Sequence, residues 1–319
     1  MKRIAILTGG PSAEREISLK SAQMVTQHLD PDLYSHRLIS MNKDAWVEME
    51  SHARIDLNDF SLSIEGEKEW FDFVFIIIHG SPAEDGKIQG YFDMLDIPYS
   101  TCDTLACSLT FNKQMCKEFL QAHDVPMAPS LIIRRGDAIP IEEVAALGLP
   151  LFVKPNSNGS SYGITLVKEE IEVLPAVELA FRYDEEVIIE GYLAGREFGC
   201  GLVQEGETLH VFPVTEIIPE AEFFTYAAKY EGASQEITPA KISATLTENC
   251  QDISKKIYKA LACRGMVRMD YILVDDVFYF LEVNTIPGLS PASIIPQQVK
   301  AYGWGFSHLL DVVMQDCSS

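Results

Sequence analysis

The chain is short of positive charge, and it lacks the long apolar runs, paired cysteines and glycine fingerprints that mark several common protein classes. Lys and Arg total 25 against 47 Asp and Glu, a formal net charge of -22 over 319 residues. That balance excludes non-specific binding to nucleic acid or to an anionic membrane surface, both of which need basic patches. A phosphate-bearing small molecule would need Lys and Arg concentrated locally within this acidic field. No apolar stretch approaches membrane-spanning length, and Ile4 to Leu7 is too short for a signal-peptide core. The seven cysteines are odd in number and contain no C-x-x-C pair, as expected of reduced thiols in a cytoplasmic protein. Neither G-x-G-x-x-G nor the P-loop G-x-x-x-x-G-K-[ST] is present, so neither dinucleotide nor Walker-type phosphate binding is supported. Internal repeats, low-complexity tracts and long linkers are absent too.

What remains is an ordinary globular composition, with 47% hydrophobic and 23% charged residues and enough length for two or three packed units. The most informative stretch is Arg268-Met269-Asp270, followed by Glu282-Val283-Asn284-Thr285-Ile286-Pro287-Gly288. Between these polar clusters, Tyr271 to Leu281 is almost all aromatic or branched apolar, which predicts a buried antiparallel hairpin turning near Asp275-Asp276. Side chains alternate along a strand, so Arg268 and Asp270 share one face, as do Glu282 and Asn284. A two-residue Asp275-Asp276 turn would pair 270 with 281 and send Asp270 and Glu282 to opposite sides. An odd loop, Val274-Asp275-Asp276, would bring all four together, and we expect the odd loop. Two carboxylates, a carboxamide and a guanidinium on one face suit Mg2+ shared with nucleotide phosphates. The plain alternative is a surface Arg-Asp pair beside two unrelated polar residues.

Along the chain, Lys2 to Thr8 reads as a buried strand, Gly9-Gly10-Pro11 as a tight turn and Ser12 as the N-cap of a helix beginning near Ala13. Glu14 either complements that helix dipole or meets a ligand's ammonium group. Phe71 to Ile78 is a second strand ending at His79, a possible ligand contact. A helix opens over 83–90 and runs through Leu95. Leu105 to His123 is one helical pattern containing Asn112-Lys113, broken by Val125-Pro126. Leu151 to Pro155 and Ile164 to Val167 flank a glycine and serine loop in which backbone N–H groups, hydroxyls and Lys154 suit phosphate; a plain polar hairpin loop is the alternative. The strand ending at Glu190 leads to Gly195-Arg196-Glu197, where backbone amides and Glu197 suit an adenine edge and ribose hydroxyls. Residues 223–232 form an aromatic loop with a basic residue, either a lid or a packed surface loop. Thr247 to Cys263 is a helix on period.

Taken together these segments resemble the D-alanine:D-alanine ligases of the ATP-grasp superfamily. The stretches that carry the resemblance are G-G-P-S-A-E-R-E-I-S-L from Gly9, H-G-S-P-A-E-D-G-K-I-Q-G from His79, V-K-P-N-S-N-G-S-S-Y-G from Val153, K-Y from Lys229, R-M-D from Arg268 and E-V-N-T-I-P-G from Glu282. The resemblance implies an α/β, ATP-grasp fold with an N-terminal Rossmann-like parallel-sheet domain over 1–100, a central subdomain over 101–190 and a C-terminal subdomain over 191–319. It implies ligation of two D-alanine molecules through an acyl phosphate for peptidoglycan, with ATP and two Mg2+ ions, Mn2+ being able to substitute. A homodimer is usual in the family.

Residue by residue, the resemblance gives Asp270, Glu282 and Asn284 to the metals, and Lys113, Lys154, Ser161, Lys229, Glu190, Leu193 and Glu197 to ATP. Arg268 and the Gly288 N–H would stabilise the oxyanion. Glu14, Ser160 and Tyr230 would hydrogen-bond together, with Glu14 also meeting the first substrate's ammonium group. His79 would sit near the first substrate and Ser293 would meet the second substrate's carboxylate. Ala83 stands where the family usually has Gly, Asn112 where Asp is common, and Gly191 where Lys is frequent. Rival readings are a D-alanine:D-lactate ligase, which Tyr230 disfavours, and a regulator that binds nucleotide without turnover, which the set Lys154, Arg268, Asp270, Glu282 and Asn284 disfavours.

Overall fold

Near-continuous apolar runs build the first sheet. In the computed structural model, which describes all residues except 13, 160, 161, 220–233 and 319, Lys2–Gly9 lies parallel to Tyr34–Met41 on one side and to Phe73–Ile76 on the other. Trp46–Glu48 closes one edge. A parallel sheet is buried on both faces, and period-2 alternation divides its side chains between two cores. Ile4, Ile6, Phe73 and Phe75 pack with Val203, Phe212 and the C-terminal helix residues Leu309 and Val313. Ala5, Leu7, Val74 and Ile76 pack with Phe60, Phe92 and Tyr99 on the other side. The opening sheet is thus bonded by its core to the end of the chain.

Two antiparallel sheets follow. Thr165–Val167, Leu151–Pro155, Glu186–Gly191 and Ser130–Arg134 form a four-stranded sheet in that order. Ser234–Ile237, Thr215–Pro219, Arg196–Glu205, Met266–Val274 and Val277–Asn284 form the next, with Thr208–Val211 paired to Arg196–Glu205. The helix Ala244–Ala260 covers this last sheet, starting three residues before the sequence pattern suggests because the Ser243 hydroxyl caps the Leu246 N–H.

Two helix expectations need correction. The first helix is Arg15–His28, with Glu14 rather than Ser12 as its N-cap. Ser12 instead donates its hydroxyl to the His79 carbonyl at 2.8 Å, tying the first turn to the end of a neighbouring strand. The single helix expected over 105–123 is two, Thr104–Phe111 and Lys113–Gln121. Asn112 leaves the helical region (φ -86°, ψ 103°) and its side chain accepts the Met115 N–H, so the amide that breaks the first helix caps the second. Ala83, where the family favours Gly, is buried and does not have positive φ, so it needs no glycine.

The hairpin also departs from expectation, in a way that preserves its outcome. Val274 pairs with Val277 across a two-residue Asp275-Asp276 turn, and both turn residues have positive φ (46° and 62°). Such a primed turn matches the strand twist, which is why it displaces the odd loop. The pairing then shifts between Asp270 and Tyr271: Tyr271 faces Phe280, but Asp270 faces Glu282 and Arg268 faces Asn284. One extra residue on the second strand, a β-bulge at Leu281, reverses the parity that the turn had set.

Asp276→Gly removes the side chain that the left-handed conformation disfavours. It is expected to stabilise the chain by at most about 1 kcal/mol without changing turnover, read from the urea midpoint. A loss of stability would mean that the Asp276 side chain supports the turn.

Candidate active site

The bulge turns four polar groups toward one cleft. Arg268, Asp270, Glu282 and Asn284 all line a cavity of about 740 Å³, bounded by the glycine loop, the strand end at Glu190 and the segment 284–294. The Arg268 guanidinium grips Asp270 in two bonds, Nε to Oδ1 and Nη2 to Oδ2, both 2.8 Å. Asn284 donates its amide to Asp270 Oδ2 at 2.9 Å. Glu282 stands directly across the ladder from Asp270. Like charges opposite one another destabilise a sheet, and Asp270 is itself buried, so this pairing favours a cation between the two. No cluster of three or more His, Cys, Asp or Glu able to hold a metal occurs among the described residues. Two carboxylates and an amide therefore fit Mg2+ only when phosphate oxygens complete its shell, which is the usual way Mg2+ is held.

Opposite this face lies a cationic floor. Lys154, in Leu151–Pro155, pairs with Ile188, which places Glu190 diagonally beside it on the same face. The Lys154 ammonium bonds Glu190 Oε2, and the Lys117 ammonium bonds Glu190 Oε1 at 2.5 Å and the Ala128 carbonyl at 2.8 Å. Burial works to raise the Glu190 carboxyl, but the two ammonium groups hold it down at about 2. Burial likewise lowers Lys117, with Glu190 opposing. Lys113, one turn before Lys117 on the same helix, reaches the Asn158 carbonyl of the glycine loop at 2.6 Å. The cleft thus has one acidic wall and one wall bearing two lysines.

The end of the cleft beside the glycine loop is acidic. Glu14 and His79 are buried and line the cleft with Glu84. Gly159 lies against both carboxylates: a Cβ there would sit 3.6 Å from Glu14 Oε2 and 4.0 Å from Glu84 Oε2. Burial opposes a charge on His79, whose Nδ1 is 3.9 Å from Glu84 Oε1, but the carboxylates of Glu84 and Glu14 raise its pKa above the ordinary value. Its Nε2 has no hydrogen-bond partner among the described residues. At the far end, Ser293 precedes the helix Ile294–Tyr302 without a capping side-chain bond, and its hydroxyl contacts Ser290 Oγ at 2.8 Å. A Cβ on Gly288 would come within 2.9 Å of Ser293 Oγ, so glycine is what lets this backbone approach.

Of the site residues expected from sequence, Glu14, His79, Lys113, Lys154, Glu190, Leu193, Glu197, Arg268, Asp270, Glu282, Asn284, Gly288 and Ser293 line this one cleft. Ser160, Ser161, Lys229 and Tyr230 lie outside the described residues. Sequence reasoning missed Lys117, Glu84 and Glu236. The i, i+4 spacing of Lys113 and Lys117 was a usable signal for the first. Glu84 stood inside a quoted motif, and nothing local marked Glu236.

The parallel opening sheet, the two antiparallel sheets and the phosphate-ready cleft between them define an ATP-grasp protein. Sequence profiles described as D-ala D-ala ligase N-terminus and D-ala D-ala ligase C-terminus match residues 3–102 and 119–315. A D-alanine--D-alanine ligase of Phocaeicola vulgatus is 43% identical over 322 residues, covering 99% of each chain. Among solved structures, the VanG D-Ala:D-Ser ligase of Enterococcus faecalis superposes with a TM-score of 0.89 at 32% identity, covering 98% of each chain. The Bacillus anthracis D-alanine--D-alanine ligase complexed with ATP superposes with a TM-score of 0.82 at 29% identity, covering 100% of this chain and 97% of that one. The chain belongs to the D-alanine--D-alanine ligase family.

Glu190→Gln would leave two buried ammonium groups sharing a neutral partner, and should lower stability by roughly 3 kcal/mol at neutral pH. Because the folded carboxyl is held at about 2, below its ordinary 4.5, its contribution is complete above 4.5 and is lost as pH falls toward 2. The gap in melting temperature between the two proteins should therefore narrow across that window. A gap independent of pH would contradict the ion-pair assignment.

Proposed function

We propose that this chain joins two molecules of D-alanine to D-alanyl-D-alanine, driven by ATP, as a step of peptidoglycan synthesis. The observation that carries the reading is family membership over nearly the whole chain, combined with a cleft that retains the acidic hairpin face and the lysine floor. A carboxylate is a poor electrophile, so the first D-alanine must be activated. Its carboxylate attacks the γ-phosphate, giving ADP and an acyl phosphate. The amine of the second D-alanine then attacks the activated carbonyl, and the tetrahedral intermediate expels phosphate.

Each role falls to groups whose charge suits it. Lys113 and Lys154 cradle the phosphates, and Lys229 and Ser161 complete that cradle. Asp270, Glu282 and Asn284 hold Mg2+, two ions in the full site, with Mn2+ able to replace them. When bound, Mg2+ neutralises phosphate charge and fixes the γ-phosphoryl group for in-line attack. Glu190 and Leu193 flank the adenine, and Glu197 takes the ribose; the Glu190 carboxylate also fixes Lys154. Glu14 receives the first ammonium group, Ser160 and Tyr230 being the partners that the family resemblance gives it, and His79 lies beside that substrate. Arg268 and the Gly288 N–H stabilise the oxyanion, and Ser293 takes the second carboxylate. The three units over 1–100, 101–190 and 191–319, a homodimer and a cytoplasmic location complete the reading. No helix among the described residues is long and apolar enough to cross a membrane.

A second reading is favoured by one specific observation, the close superposition on a D-Ala:D-Ser ligase: the acceptor would then be D-serine. Purified protein with ATP and Mg2+ should release ADP and phosphate only when D-alanine is present, L-alanine should not replace it, and a chelator should abolish release. No ADP release with or without D-alanine would support the regulator instead, and a faster reaction with D-serine or D-lactate as acceptor would reassign the product. Glu282→Gln should lower turnover about a hundredfold with a smaller effect on melting temperature. Equal loss of folding and turnover would mean that Glu282 is structural.

A further inference from the structure

Glu236 is a carboxylate of the cleft that has no part in the roles assigned so far. Glu236 lies in the edge strand Ser234–Ile237, opposite Ile217, and lines the cleft on the side of Arg268 and Ser293. It is held by Gln297, whose Nε2 bonds Glu236 Oε2 at 2.5 Å and the Ala292 carbonyl at 3.1 Å. Gln297 stands one helical turn after Ser293, so a single amide fixes the Glu236 carboxylate beside the segment that ends in the Ser293 hydroxyl. That hydroxyl, at the positive end of the helix Ile294–Tyr302, suits a carboxylate. Two complementary groups thus stand at this end of the cleft: a donor end for an anion and an acceptor carboxylate for a cation. A free amino acid presents both charges on one carbon.

The local charge balance points the same way. Burial pushes the Glu236 carboxyl upward and Asp270 adds to that, while the Gln297 amide and the Arg268 guanidinium pull it down without cancelling the rise. The Arg268 guanidinium already makes two bonds to Asp270. A cationic ligand group arriving beside Glu236 would relieve this deficit.

We propose that Glu236, fixed by Gln297, receives the second substrate in its ammonium form, which gives up one proton to solvent before the free amine attacks, and thereby selects amine-bearing acceptors over hydroxy acids. The inference rests on the ligase reading above and adds to it a specificity residue for the acceptor. A hydroxy acid such as D-lactate keeps the carboxylate for the Ser293 end but offers Glu236 no positive charge. It would leave the carboxylate unpaired, a penalty that D-alanine and D-serine avoid.

The test separates the two half-reactions in the full chain. Wild type, Glu236→Gln, Glu236→Asp and Gln297→Ala are compared with ATP, Mg2+ and D-alanine, first with hydroxylamine to trap the acyl phosphate as a hydroxamate, then without it to form dipeptide. Acceptor choice is read from the ratio of dipeptide to depsipeptide in a mixture with D-lactate. In Glu236→Gln the acceptor KM should rise about tenfold to a hundredfold, and the product ratio should move toward depsipeptide by a similar factor. Hydroxamate formation should stay within about twofold of wild type, because activation of the first substrate does not involve Glu236. Glu236→Asp should recover part of the selectivity, and Gln297→Ala should raise the acceptor KM by a smaller factor.

Unchanged acceptor KM and product ratio in both the Glu236→Gln and Gln297→Ala proteins would overturn the proposal. Equal loss of hydroxamate and dipeptide would overturn it in favour of a structural role. A wild-type protein that forms neither product would instead overturn the ligase reading itself.

Discussion

A single extra residue in one strand decides which polar groups share the face toward the cleft. The tight Asp275-Asp276 turn alone would place Asp270 and Glu282 on opposite faces of the sheet, and the bulge at Leu281 returns them to the same one. The consequence is a juxtaposition that a protein built for stability alone would avoid, two carboxylates directly across a ladder with one of them buried. Arg268 and Asn284 satisfy Asp270 from the side, and Glu282 lines the cleft beside them. The bulge, the like-charge pair and the flanking guanidinium therefore make sense together as a seat for a cation that arrives with phosphates.

The facing wall solves the complementary problem. A strongly acidic chain places positive charge on this wall by burying lysines in pairs with Glu190 rather than by displaying them. Breaking such a buried set is far costlier than losing a surface pair, so the positions of Lys154 and Lys117 are closely defined. The glycine loop closes the same space, with Lys113 tied to its backbone and Gly159 lying close against Glu14 and Glu84. The core joins these parts: the opening sheet shares its packing with Val203, Phe212 and the C-terminal helix.

The sequence made much of this legible because its strongest signals are local. Alternation along 268–284 gave the hairpin and its polar face, and the apolar runs at Ile4 and Phe73 gave the buried parallel strands. What it did not reveal depends on tertiary context. The bulge at Leu281 is invisible to a parity argument, since the preference for a primed turn and the packing of the strand set it jointly. The break at Asn112 sits inside an otherwise unbroken helical pattern and exists because that amide caps the following turn and also accepts from Asn156. Lys117 and Glu236 acquire their meaning only from partners 73 and 61 residues away. The family resemblance supplied roles for the cleft residues that spacing alone left open, while the readings at Ser160, Ser161, Lys229 and Tyr230 fall outside the described residues.

A crystal structure with a non-hydrolysable ATP analogue and Mg2+ tests the convergence of the hairpin groups most directly. Mg2+ arriving with the analogue is expected to be held by carboxylate oxygens of both Asp270 and Glu282, at about 2.1 Å, together with phosphate oxygens. A nucleotide whose metal is held elsewhere, with Asp270 and Glu282 turned away from it, would contradict that arrangement.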